Sequence, residues 1–214
     1  MDSQLTRLVV IRHGETGWNV ATRIQGHRDI GLNAVGRWQA ERAAQALAGE
    51  AIDAIYSSDL ARAHQTAEAL ARAVGLDVCA DSGLRERAFG LFEGLTFAEI
   101  EQRYPDQARR WRTRDLEFGP PGGETLRSFV ERVVTCVDTL AQRHRGQHVA
   151  IVTHGGVLDA LYRAASRIAL DAPRSWQLGN ASINRLLASD AGLVLVGWGD
   201  TFHLETAGRD ESLA

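Results

Sequence analysis

The chain has 214 residues, 27 acidic against 24 basic side chains, a net charge of −3 and a hydrophobic content of 44%. That is enough apolar chain for a sizeable core and argues against disorder, while the slightly acidic balance gives no global basic field for nucleic acid. No apolar run approaches the ~20 residues of a membrane helix, and the polar start Met1-Asp2-Ser3-Gln4 does not read as an export signal.

Leu8-Val9-Val10-Ile11 is the pattern of a strand covered on both faces, as in a parallel sheet. It runs into Arg12-His13-Gly14, and the carboxyl ends of strands are where open α/β sheets bind ligands. Gly17 to Leu32 has glycines, asparagine and little periodicity, which predicts a structured loop. Ala34 to Leu47 reads as a helix with Trp38, Ala40, Ala43, Ala44 and Leu47 on a buried stripe and Gly49 as its stop signal. Asp53 to Tyr56 reads as a second strand. Ser57-Ser58-Asp59 offers N-cap side chains to a helix in which Leu60, Ala63, Ala67, Leu70, Ala71 and Val74 recur at helical spacing until Gly75. Arg62 falls in its first turn. Helical side chains lean toward the N-terminus, so its guanidinium is expected at the carboxyl end of strand 53–56.

Leu76 to Ala80 suits a third strand, and Gly83 to Gly90 a charged loop containing Arg85-Glu86-Arg87. Leu91 to Pro121 reads as an insertion of short helices with an arginine cluster, Arg109 to Arg114. A long helix follows Thr125, with Leu126, Phe129, Val130, Val133, Val134, Val137, Leu140 and Ala141 on one stripe, ending near Arg145-Gly146. His148 to Thr153 is another buried strand. It delivers His154-Gly155-Gly156 into a helix over 157–165, whose open amide groups and dipole favour an anion. Residues 181–188 and 193–199 are strand-like runs joined by a hairpin signal, and the polar tail from Gly208 is expected to be loose. Strands alternating with helices indicate an α/β fold.

In a parallel sheet Arg12 with His13, Arg62 and His154 fall on one edge, where the planar fork of arginine suits phosphate oxygens. Glu86 is the carboxylate placed to protonate a leaving group. A metal site is not expected. His144 and His148 are four apart but separated by Gly146, and His27, His64 and His203 read as loop or helix residues. Cys79 and Cys136 lack metal-ligand spacing, are expected in or near the core, and suit a reducing compartment. The expected location is the cytoplasm.

At Arg12-His13-Gly14-Glu15-Thr16 the chain resembles the histidine phosphatase superfamily, also called the phosphoglycerate mutase-like family. The resemblance continues through Asn19, Gln25-Gly26, Ser57-Ser58-Asp59-Leu60-Ala61-Arg62-Ala63-His64-Gln65-Thr66-Ala67, Leu84-Arg85-Glu86-Arg87, Phe89-Gly90, Glu93-Gly94, Pro121-Gly122-Gly123-Glu124 and Thr153-His154-Gly155-Gly156. It implies a single three-layer α/β/α domain over 1–214, with a mainly parallel central sheet and an inserted helical cap at about 92–122. It implies His13 as nucleophile, Glu86 as proton donor, and Arg12, Asn19, Arg62, His154 and Gly155 around the phosphoryl oxygens, with no cofactor. Gln25, Arg110, Arg112 and Asn180 are further candidates for substrate contact. The function implied is a metal-independent phosphomonoesterase acting through a phosphohistidine on a small phosphorylated metabolite. A cofactor-dependent phosphoglycerate mutase is the enzyme alternative. The chain has no lysine, whereas the family's mutases usually carry one shortly after the glutamate loop. A silent phosphate-binding module is the third reading, although no catalytic residue is missing. A homo-oligomer stays open.

Overall fold

The computed structural model describes residues 5–205; the readings of the first four residues and of the tail from Gly208 fall outside them. Six strands, β1 (Thr6–Arg12), β2 (Ala54–Ser57), β3 (Val78–Ala80), β4 (His148–Thr153), β5 (Ile183–Ser189) and β6 (Gly192–Asp200), form one sheet in the order β3-β2-β4-β1-β5-β6. β3, β2, β4 and β1 run parallel; the β5–β6 hairpin is antiparallel and adds to the free edge of β1. The fold is α/β with a mainly parallel sheet.

The unbroken apolar run of β1 has a direct cause, since successive side chains point to opposite faces and both faces are covered. Leu8 and Val10 join a cluster with Val149 and Ile151, which packs against Phe129, Val133, Val137 and Leu140 of α6 (Leu126–Arg143) and Val157 and Leu161 of α7 (Gly155–Ser166). Val9 and Ile11 join Ala150 and Val152 on the other face. There they meet Ala40, Ala44 and Leu47 of α2 (Ala34–Leu47) and Ala63, Ala67 and Leu70 of α3 (Ala61–Val74). Two helical layers therefore enclose the sheet. A third cluster, Phe92, Ile100, Ala108 and Phe118 with Ile24, Phe89 and Trp111 against it, lies around α4 (Phe97–Arg103) and α5 (Pro105–Arg112). No helix among the described residues is long and apolar enough to cross a membrane.

Four local expectations are corrected. The loop after β1 contains a one-turn helix, α1 (Gly17–Val20), because Thr16 and Asn19 cap each other's backbone reciprocally. Trp38 is 42% exposed, and its place on the buried stripe of α2 is taken by Gly36. α3 starts at Ala61 without a cap from Ser57 or Asp59; of the three expected side chains only Ser58 takes part, its hydroxyl accepting from the Leu60 amide at 3.3 Å. The Ser57 hydroxyl donates to Ser58 O and Asp59 pairs with Arg85, so the Ala61 amide is received at 2.7 Å by Asp29 Oδ1 from the preceding loop. Cys79 is exposed, because the three-residue β3 is the outer strand, while Cys136 is half-buried on α6.

The closest approach behind the sheet edge involves two glycines. A Cβ on Gly14 would stand 2.3 Å from Gly36 O, and one on Gly36 would stand 2.0 Å from Glu15 O. α2 is thereby seated against the backbone that follows His13. Gly36→Ala improves intrinsic helix propensity by about 1 kcal/mol, yet the clash predicts net destabilisation of about 1–3 kcal/mol. Urea midpoints check this against Gly49→Ala, whose Cβ would meet nothing within 4 Å and should change little.

Candidate active site

The register of the two central parallel strands sets the geometry. Arg12 of β1 lies opposite Thr153 of β4, so the next residues, His13 and His154, leave the sheet side by side with ring centroids 5.2 Å apart. The His13 amide donates to Thr153 O at 2.8 Å and the Gly14 amide to Thr66 Oγ1 at 3.1 Å, which ties the turn to β4 and α3. α3 follows β2 back over the same edge and brings Arg62 under the imidazoles. Arg62 is 1% exposed and donates from Nη1 to Arg28 O and from Nη2 to Gly26 O, at 2.9 and 2.8 Å. The Arg12 guanidinium is fixed by a bond to Leu178 O.

These carbonyl contacts leave specific donors over. Arg12 Nε, Arg62 Nε and both ring nitrogens of His154 are buried with no protein partner. Leaving such groups unpaired costs about 1–3 kcal/mol each, and an anion accepting from the two guanidinium Nε–H groups and the single N–H of the neutral His154 ring removes that cost for those three donors. The amide of Gly155 opens α7 on the same side, and the N-cap residue, His154, makes no side-chain cap bond. Asn19 Oδ1 accepts from Thr16 N at 3.0 Å, which leaves Nδ2 to the cavity. Gln25 Oε1 accepts from the Thr16 hydroxyl at 3.0 Å. Arg12, His13, Asn19, Gln25, Arg62 and Gly155 all line one cavity of about 590 Å³, and Glu86 is on its wall.

His13 Nδ1 lies 2.7 Å from Gly14 O, a carbonyl that can only accept. The proton therefore sits on Nδ1 and the Nε2 lone pair is unprotonated. Burial, then the charges of Arg62 and Arg12, push the His13 pKa well below 6.5. Burial and the same arginines, with His13, do likewise to His154. Burial also lowers Arg62, to about 10, so it stays a cation at neutral pH. The site is a cationic pocket with an uncharged imidazole inside it.

Glu86 stands across from the imidazoles with Oε1 accepting from Arg87 N at 2.8 Å and Oε2 from Gly156 N at 3.0 Å. A Cβ on residue 156 would lie 2.1 Å from Glu86 Oε1, which is why glycine opens the second position of α7. The loop carrying Glu86 is pinned from outside. Arg132 of α6 donates to Gly83 O, Arg85 O and Glu86 O and pairs with both carboxylate oxygens of Glu124, at 2.8 and 2.9 Å. His27 Nε2 donates to Glu86 O at 2.8 Å.

Asn180 does not line the cavity. Its Nδ2 donates to His13 O at 3.0 Å, so it braces the turn. Arg110 and Arg112 are not brought to the cavity either. Arg110 pairs with Asp115 and lies over the Phe118 ring, and Arg112 pairs with Glu101 and lies over Phe97, so α5 spends both guanidinia on its own surface. The cations that do reach the outer wall are Arg23 and Arg174, with Phe89 and Trp176 beside them. Sequence pattern had no means of finding these four or Arg132, because their contacts join loops far apart in the chain. His144, one of the paired histidines, bonds to Tyr56 and Gln147; among the described residues no group of three or more His, Cys, Asp or Glu could hold a metal ion.

A strand-end histidine with a free Nε2, set among unpaired cationic donors and facing a carboxyl group, forms an anion site suited to a phosphoryl group at the edge of an α/β sheet. The chain belongs to the histidine phosphatase superfamily (branch 1), whose family model matches residues 8–201. It is 39% identical over 212 residues to phosphoglycerate mutase-like protein 4 of Arabidopsis thaliana, a match covering 97% of this chain and 90% of that one. It is 36% identical over 212 residues to the metal-independent phosphoserine phosphatase of A. thaliana, covering 97% and 87%. Among solved structures, mycobacterial glucosyl-3-phosphoglycerate phosphatase in complex with VO3 superposes with a TM-score of 0.82 at 34% identity, covering 91% of this chain and 99% of that one.

The lowered imidazole pKa values fix a sign for stability against pH. Both rings are unprotonated in the folded protein, but in the unfolded chain each takes a proton below about 6.5. The unfolded state then binds more protons, so stability is held above that pH and lost as pH falls through 6.5 toward the folded values. Urea midpoints should drop between pH 8 and pH 5, and less steeply in His13→Asn than in the unaltered protein. An equal slope in the two contradicts a buried neutral His13.

Proposed function

We propose that the protein is a metal-independent phosphomonoesterase that acts on small phosphorylated metabolites through a phosphohistidine on His13. The observation that carries this reading is the bond from His13 Nδ1 to Gly14 O, which leaves Nε2 unprotonated among buried, unpaired donors. The relatives named for phosphatase activity support the hydrolytic direction.

In the first step the phosphoryl oxygens accept from Arg12 Nε, Arg62 Nε, His154, Asn19 Nδ2 and the Gly155 amide, which match the charge spread over the equatorial oxygens of a loose transition state. His13 Nε2 forms a bond to phosphorus as the bond to the leaving oxygen breaks, and the Glu86 carboxyl gives that oxygen its proton. In the second step the Glu86 carboxylate takes a proton from water, the water oxygen bonds to phosphorus, and the phosphorus–nitrogen bond breaks. Inorganic phosphate and the original His13 are the products. Residues 92–122 act as a cap on this site, and the two cysteines, unpaired in the structure, suit a cytoplasmic protein.

Turnover tests this directly. Steady phosphate release from nitrophenyl phosphate and from an alkyl phosphate is expected, unchanged by a chelator. General acid catalysis contributes typically ~10²–10⁴-fold, and a nitrophenolate leaves with little need of a proton. Glu86→Gln should therefore slow the alkyl ester far more than the nitrophenyl ester. Equal losses would place Glu86 in binding instead, and primer-dependent isomerisation of 3-phosphoglycerate faster than phosphate release would make the enzyme a mutase.

A further inference from the structure

Arg62 and Glu86 come from distant parts of the chain, and residues 26–29 run between them. Gly26 O and Arg28 O receive the two Nη groups of Arg62. Asp29 Oδ1 receives the Ala61 amide at 2.7 Å, one residue before Arg62, so the same segment holds both the guanidinium and the helix end that carries it. His27 lies between the two carbonyls, and its own groups turn the other way. Its ring Nε2 is 2.8 Å from Glu86 O, and its amide donates to Glu93 Oε1 at 2.9 Å, an oxygen that also receives the Phe89 amide at 3.1 Å.

Glu86 O can only accept, so the His27 Nε2 carries a proton in the neutral ring as well as in the charged one, and the bond survives titration of the ring. Arg132 reaches the same oxygen from α6 at 3.2 Å. Of the two contacts, that of His27 is the shorter, and it is the one that comes from the segment holding Arg62. The packing leaves no slack between segment and loop, since a Cβ on Gly26 would stand 2.2 Å from Glu93 Oε1. The Glu86 carboxyl is aimed by amides at its far end, those of Arg87 and Gly156, so its backbone carbonyl is the remaining point that fixes where the side chain starts. Displacing a reacting group by ~1 Å can cost about 10²-fold in rate.

We propose that His27 is a positioning residue for proton transfer: it ties the segment that seats Arg62 to the loop that carries Glu86, so that the cation on the phosphoryl oxygens and the acid on the leaving oxygen keep a fixed separation. The inference rests on the reading of Glu86 as proton donor given above. His27 itself does not line the cavity and touches no reacting atom. Its effect therefore falls on the step in which Glu86 moves a proton, while Arg62, which keeps both of its carbonyl acceptors without the His27 ring, goes on binding the anion.

Phenyl phosphate and 4-nitrophenyl phosphate have leaving groups of similar shape that differ in their need of a proton, so the phenyl-to-nitrophenyl ratio of kcat/KM reads the acid and cancels the binding of the phosphoryl group. Glu86→Gln should lower that ratio. His27→Leu should lower it about fivefold, as for the loss of one neutral hydrogen bond, and change inhibition by inorganic phosphate by less than about twofold. His27→Gln, which returns an N–H donor, should recover the ratio in part. In the Glu86→Gln background His27→Leu should leave the ratio where it is, because the two residues act as one unit. A ratio unmoved by His27→Leu, an equal loss on both esters with weakened phosphate inhibition, a ratio no better in His27→Gln than in His27→Leu, or a loss that persists in Glu86→Gln overturns the assignment while the phosphatase reading stands. A ratio unmoved by Glu86→Gln removes Glu86 as proton donor and the inference with it. Failure of the unaltered protein to release phosphate from either ester overturns the phosphatase reading and the inference together.

Discussion

Two uncharged imidazoles buried against two arginines are the constraint that the rest of the structure serves. Each guanidinium and each ring would be better solvated in water, and an unsatisfied buried donor is among the more expensive features a fold can carry. The arrangement persists because backbone carbonyls hold the arginine Nη groups, at Gly26, Arg28 and Leu178, and Gly14 O holds His13 Nδ1. Arg12 Nε and Arg62 Nε, which those carbonyls do not satisfy, belong to residues that line the cavity, while His154 is fully buried and not part of that lining. The unpaired groups are therefore already oriented before a phosphoryl group arrives, which is the condition under which fixed dipoles lower a transition state most.

Precision at this edge comes from close backbone packing and from arginines whose work is structural. The Gly14 and Gly36 contact seats α2, the Gly156 position admits the Glu86 carboxyl, and Arg132 with Glu124 fixes the loop from the far side. Arg87, 5% exposed, donates to Glu124 O and Phe118 O and so ties the Glu86 loop to the segment preceding α6. In a chain without lysine, guanidinium forks thus serve both as ligand groups and as clamps on carbonyl oxygens. The two uses separate by surroundings. Arg132 and Arg87 meet protein acceptors and Glu124, whereas Arg12 and Arg62 each keep a buried Nε without a protein partner.

Much of this was legible in the residues themselves. The run Leu8 to Ile11 showed a doubly covered strand, and the helical spacing of residues 60–74 put Arg62 in a first turn aimed at the strand ends, where the structure has it. Histidine followed by two glycines at the end of β4 marked an open helix N-terminus. The failures share a cause. Trp38 followed the helical period but lost the interior to Gly36, because the tightest contact wanted no side chain at all. The cap of α3 came from Asp29, 32 residues upstream of Ala61, and the arginine cluster of α5 turned to local acids and rings, while Arg174 reached the cavity from a loop with no periodicity. Periodicity reports which face of an element is buried; it carries no information on which loops meet at a sheet edge.

The central claim is that His13 Nε2 is the atom that accepts the phosphoryl group. Rapid quenching of turnover on a labelled phosphoester, followed by peptide mapping under alkaline conditions, tests it most directly. The account predicts one base-stable, acid-labile label, located on the His13 ring and absent from His13→Ala. Label on another residue, or label retained by His13→Ala, would contradict it.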